Sequence, residues 1–107
     1  MAVAKLIVIY PRPTDVDAFE KVYLKEHVPM AVQKLGGKTK IVATKVGGSP
    51  QGTPPFHRIV EVHFPSMAAL ETCAASAGAK ETLGHAVTIS TGGKPIFLVA
   101  EEETFTF

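Results

Sequence analysis

A single cysteine, Cys73, stands in the 107 residues. It excludes an internal disulfide and leaves no cysteine partner for a metal site, so a reducing cytoplasm is the expected setting. Charge is equally sparse in pattern. Eleven Lys and Arg face ten Asp and Glu, for a formal net charge of +1, and no basic block stands out. Nucleic acid and anionic membrane surfaces therefore have no electrostatic case as partners. No apolar stretch approaches the roughly 20 residues of a membrane helix. The run from Val3 to Tyr10 is short for a secretory core, carries Lys5 and ends at Pro11. Repeats and low-complexity tracts are missing. Gly47-Gly48 and Gly92-Gly93 lack phosphate-loop spacing, which speaks against a nucleotide.

Against these absences, 46% of the residues are hydrophobic and 20% charged, the balance of a globular chain. The length predicts one domain over residues 1–107. Ala4 to Tyr10, rich in branched residues, predicts a first strand. Thr14-Asp15-Val16-Asp17 has capping-box spacing and opens a helix from about Asp15 to Leu35, closed by Gly36-Gly37. Lys38 to Val46 and Phe56 to Phe64 read as strands around a Gly/Pro loop. Ser66 caps a second helix. Gly78 interrupts its pattern, and Ala79 to Val87 reads as a further short helical stretch weakened by Gly84. Pro95 to Ala100 is a fourth strand, and Thr104 to Phe107 a short extra one.

The order β-α-β-β-α-β predicts an α+β, ferredoxin-like fold: an antiparallel four-stranded sheet with both helices on one face. The strands are apolar on both parities, as in Ile7 and Ile9 against Leu6 and Val8. A bare apolar face of that size needs a cover. Sheet-on-sheet packing of a homodimer supplies it, with Phe105 and Phe107 reaching across.

At 100° per residue, Val16, Phe19, Tyr23, His27 and Met30 share one stripe of the first helix. Pro29 removes a backbone donor and is expected to kink or break the helix near Glu26. His27 then has two readings. It is a general acid or base lining a cavity between helix and sheet, or a core histidine bonded to a carbonyl freed by Pro29. Tyr23, one turn earlier, either orients the imidazole and donates to a developing oxyanion, or packs. Tyr10 and Arg12, at the end of the first strand, are placed to rim the pocket, and Phe19 and Met30 to line it. On the third strand, His57, Glu61 and His63 share a parity with Ile59. The spacing from Glu61 to either histidine is long for one ion, so no metal is expected. Glu61 is either a pocket acid or the partner of Arg58 or a lysine. His85 is expected at the surface, and Cys73 as a small core residue.

Tyr23-x-x-x-His27-Val28-Pro29-Met30 resembles the Tyr...His-Val-Pro-Leu signature of the EthD-like proteins, in the dimeric α+β barrel superfamily. Glu61-x-x-Phe64-x-Ser66, the opening Lys5-Leu6-Ile7-Val8-Ile9-Tyr10 and the closing strand extend the resemblance over nearly the whole chain. His63 departs from it, where an aromatic residue is usual, and alters the pocket wall. Pro65 stands where an acidic cap is usual. EthD is associated with an ether-degradation system that uses a cytochrome P450. Superfamily relatives include cofactor-free monooxygenases, isomerases, cyclases, dehydratases and decarboxylases, and others bind haem. The fold alone does not choose among these; one ionisable group on an otherwise apolar pocket-facing stripe leads to the expectation of a cofactor-independent enzyme acting on a hydrophobic oxygenated or aromatic compound. His27 would transfer the proton, assisted by Tyr23 and Glu61. The competing readings are a ligand-binding accessory to an oxidase and a haem-binding protein.

Overall fold

The computed structural model describes residues 3–107. Strands β1 (Val3–Pro11), β2 (Lys40–Lys45), β3 (Phe56–Phe64) and β4 (Ile96–Glu102) form one sheet in the order β2-β3-β1-β4. Every neighbouring pair is antiparallel. The first helical segment is α1 (Val16–Val22), a π turn (Tyr23–His27) and α2 (Val28–Lys34), and the second is α3 (Met67–Ala74) and α4 (Ala77–Ile89). This is the ferredoxin-like plan. β1 and β2 flank β3, and β3 and β4 flank β1, each pair joined by a helical crossover.

Both crossovers cover the same sheet face. Ala4, Val8 and Tyr10 of β1 and Val60, Val62 and Phe64 of β3 are buried against Phe19, Tyr23, Ala31, Leu70, Cys73, Ala79 and Ala86. The buried side chains form two clusters, and Leu6 and Ile41 pack against both. On the other face, register aligns Lys5 with His63, Ile7 with Glu61 and Leu98, and Ile9 with Ile59 and Ile96. Among the described residues no helix covers this face, and Leu98 is 45% exposed. No helix among the described residues is long and apolar enough to cross a membrane.

The helical segments depart from expectation in three places. The first cap is Asp15 rather than Thr14: its Oδ1 accepts from the Ala18 N–H at 3.0 Å. The long helix does not break at Pro29, and the disturbance falls in the turn before it, which includes Glu26. There the Val28 N–H bonds the Tyr23 carbonyl, five residues back. In α register the proline ring would collide with the carbonyl four residues earlier. The wider π turn moves that carbonyl aside, and the helix continues.

The second segment breaks at Ala75–Ser76 rather than at Gly78, and α4 runs 13 residues. Ser76 makes that break: its hydroxyl accepts from the Ala79 N–H at 3.1 Å and donates to the Cys73 carbonyl at 2.6 Å. Gly78 lies inside α4 because α2 passes there; a Cβ would come within 2.6 Å of the Lys34 carbonyl oxygen. Residues 104–107 form no strand, and Phe105 and Phe107 are exposed.

Candidate functional site

The π turn sets one aromatic column. Phe19 stacks on Tyr23 at 5.6 Å between ring centroids, and Tyr23 on His27 at 5.8 Å. Tyr10 of β1 meets all three rings edge-on. Beyond Tyr23, the Arg58 guanidinium lies 5.0 Å from its ring centroid, a cation–π contact. Arg58 is fixed by Glu20, which also accepts from His57 at 3.0 Å. Pairing with Arg58 lowers the Glu20 carboxyl below its usual range. A register shift between Tyr10 and Pro11 twists this end of the sheet, where His57 reaches Glu20 on α1.

His27 is 7% exposed, and both of its ring nitrogens have partners. Nε2 lies 3.2 Å from the Tyr10 hydroxyl, and Nδ1 lies 2.9 Å from Nδ1 of His85 on α4. The two imidazoles are inclined by only 14°, with centroids 5.2 Å apart. That spacing equals the N–N separation plus the two ring radii, so the rings meet nitrogen to nitrogen in nearly one plane. This is the alignment a hydrogen bond favours. Burial, with the charge of His85 adding to it, pushes His27 down to about 4. It is therefore neutral near pH 7, and one of its nitrogens carries the lone pair a base requires. Burial raises both tyrosines, Tyr23 to about 12, so both hydroxyls stay protonated.

His27, Tyr10 and Tyr23 wall a cavity of about 30 Å³ between the helices and the sheet, at the junction of the two core clusters. The rest of its lining is apolar, led by Leu6, Val8, Ile41 and Val60, except for Thr82. The Thr82 hydroxyl is already committed to the Gly78 carbonyl at 2.8 Å. His27 is thus the one imidazole that faces this space. Its ring nitrogens bond side chains rather than a carbonyl freed by Pro29.

The sequence candidates fall into two groups. His27, Tyr23 and Tyr10 come together at the cavity, but the hydroxyl bonded to His27 is that of Tyr10, while Tyr23 packs on the ring face. Phe19 continues the column without lining the cavity, and half-buried Met30 lies outside the lining. Glu61 and His63 are on the opposite sheet face, which corrects the expectation that they join His27. There the Lys5 ammonium bonds Glu61 and Glu102. Ligating atoms of Glu61, His63 and Glu102 gather within 4.8 Å of one another, and the lysine already sits at both carboxylates.

His85 is the neighbour of His27 that the sequence alone places at the surface. Its only signal was a histidine in a segment read as too weak to form a long helix. Haem does not fit here: the cavity has space for one or two waters, and both nitrogens of His27 are taken.

No family model and no curated protein matches the chain. Solved structures do. An ethyl tert-butyl ether D (EthD) family protein from Bacillus halodurans superposes with a TM-score of 0.86 at 27% identity, over 96% of this chain and 100% of that one. An EthD-like protein from Ralstonia eutropha gives 0.69 at 21% identity, covering 94% and 91%. A dimeric ferredoxin-like protein of unknown function from Jannaschia gives 0.63 at 17% identity, covering 97% and 100%. The resemblance carried by Tyr23, His27 and Pro29 is matched by the whole fold, which is similar to that of the EthD family protein.

Proposed function

We propose that this chain is a homodimeric, cytoplasmic, cofactor-independent enzyme that modifies a small hydrophobic oxygenated compound by proton transfer at His27. The observation that supports it is one neutral imidazole facing an apolar cavity, with a hydroxyl on one ring nitrogen and a second imidazole on the other. Nε2 is the working nitrogen, because its partner Tyr10 lines the cavity whereas His85, the partner of Nδ1, does not. Tyr10 donates to it or to a substrate oxygen, and Tyr23 holds the ring plane. An organic substrate has to widen a cavity of about 30 Å³, and the half-buried Val28 and Leu83 are side chains of its wall. The EthD name of similar proteins makes ethers a natural first class to try.

The dimer belongs to the same proposal. It is supported by the bare apolar sheet face and by the dimeric description of the Jannaschia protein. The lone buried cysteine, whose thiol burial makes harder to ionise, suits a reducing compartment.

Incubation in D2O with a panel of small ethers, ketones and phenols tests the chemistry, with mass spectrometry reading product and deuterium uptake. His27→Ala is expected to lower the rate about 100-fold or more. A folded, dimeric variant that works at the wild-type rate would overturn the proposal. The apolar lining also favours a second reading, carriage of a ligand for a partner oxidase. It predicts saturable binding from the same panel with neither product nor deuterium uptake.

A further inference from the structure

We propose that His85 relays protons between the buried ring of His27 and solvent, so that His27 can exchange a proton with a cavity ligand without becoming an isolated buried cation. The inference rests on the proton-transfer reading of the cavity and adds to it the route the proton takes. Three observations carry it. The Nδ1–Nδ1 contact of 2.9 Å between nearly coplanar rings must hold one proton when both imidazoles are neutral. His27 is buried while His85 is only half-buried. Finally, Nε2 of His85 makes no protein hydrogen bond among the described residues, yet no buried side-chain nitrogen there lacks a partner. Solvent therefore reaches that nitrogen.

The transfer balances as a shift along a row. At the start Tyr10 O–H points at His27 Nε2, His27 Nδ1–H points at His85 Nδ1, and His85 carries its proton on Nε2. A proton arriving at His27 Nε2, from a ligand or through Tyr10, sends the Nδ1 proton to His85 Nδ1. The His85 Nε2 proton leaves to water. One proton enters, one departs, and both rings end neutral in their other tautomer. This matters because the groups facing His27 offer no countercharge: Tyr10 from β1, Tyr23 from its own turn and His85 from α4. The Glu20 carboxylate is bound to Arg58 beyond Tyr23, and that of Glu81, one turn before His85, to Lys34. His85 is thus a positioning and relay residue, acting through His27.

The test needs no substrate. In protein labelled with 15N-histidine at pH 7, NMR gives the His27 tautomer and the exchange rate of its ring N–H with water. His85→Asn keeps a hydrogen-bonding atom near the Nδ1 position but cannot pass a proton on. It is expected to slow exchange at least tenfold. His85→Ala is expected to be slow as well, and to be accelerated by added imidazole but not by acetamide. Exchange at the wild-type rate in either variant, with His27 otherwise unperturbed, overturns the relay. Such a failure would leave proton transfer by His27 standing, since that is read separately by the D2O assay. In that assay His85→Asn is expected to lower kcat and leave KM unchanged.

Discussion

At neutral pH the His27 imidazole is uncharged, because burial and His85 push it from 6.5 to about 4. An unfolded chain takes up a proton at this histidine near pH 6.5, whereas the folded chain does not until about pH 4. Between those values the unfolded state binds more protons, so stability falls as pH drops through that window. The slope from this one group is at most about 1.4 kcal/mol per pH unit. His27→Phe is therefore expected to flatten the pH dependence of stability between pH 7 and 5, a range above the titration of Glu20. Urea unfolding at pH 7, 6 and 5 measures it, and an equally steep slope in the variant would assign the effect elsewhere. His27 was legible because five residues at helical spacing marked a buried stripe. Tyr10 was legible only as a rim residue, since its bond to His27 spans 17 positions that no local pattern connects.

Among the elements, α4 carries His85, and two of its glycines have opposite roles. Gly78 faces the Lys34 backbone, where a methyl group has no room, while nothing lies within 4 Å of a Cβ at Gly84. Gly78→Ala is expected to destabilise by about 1–3 kcal/mol, the usual cost of forcing extra volume into a close contact. Gly84→Ala is expected to stabilise by up to about 1 kcal/mol, through helix propensity alone. Chemical denaturation of the two variants separates them; equal effects would mean that α2 and α4 do not press together at Gly78. From sequence both glycines read as helix weakeners, and that placed the break at Gly78 and His85 at the surface. The crossing with α2 reverses the meaning of the first. The π turn was similarly half-legible: Pro29 announces a lost donor, but local reasoning predicts a kink, and only the packing of Tyr23 and His27 selects the wider turn.

For the whole molecule, the consequence lies on the uncovered sheet face, where Ile7, Ile9, Ile59 and Leu98 meet solvent in the single protomer. A charge there costs little in a monomer but is stranded when a second copy covers it. Wild-type protein is expected to sediment as a dimer at micromolar concentration, and Leu98→Glu as a monomer of similar thermal stability. A dimeric Leu98→Glu would place the interface elsewhere.

The order of elements, the parity of each strand and the buried stripe of the first helix follow from the sequence alone, because periodicity is local and each residue carries its own polarity. Which strand parity faces the helices did not follow. Both parities are apolar, and hydropathy cannot rank them; so Glu61 and His63 were drawn toward a pocket from which the sheet separates them. Only the tertiary structure brought His85 across 58 positions to the nitrogen of His27. That contact depends on the distance between α2 and α4, which is set by the Gly78 crossing and by the extra residue in the π turn.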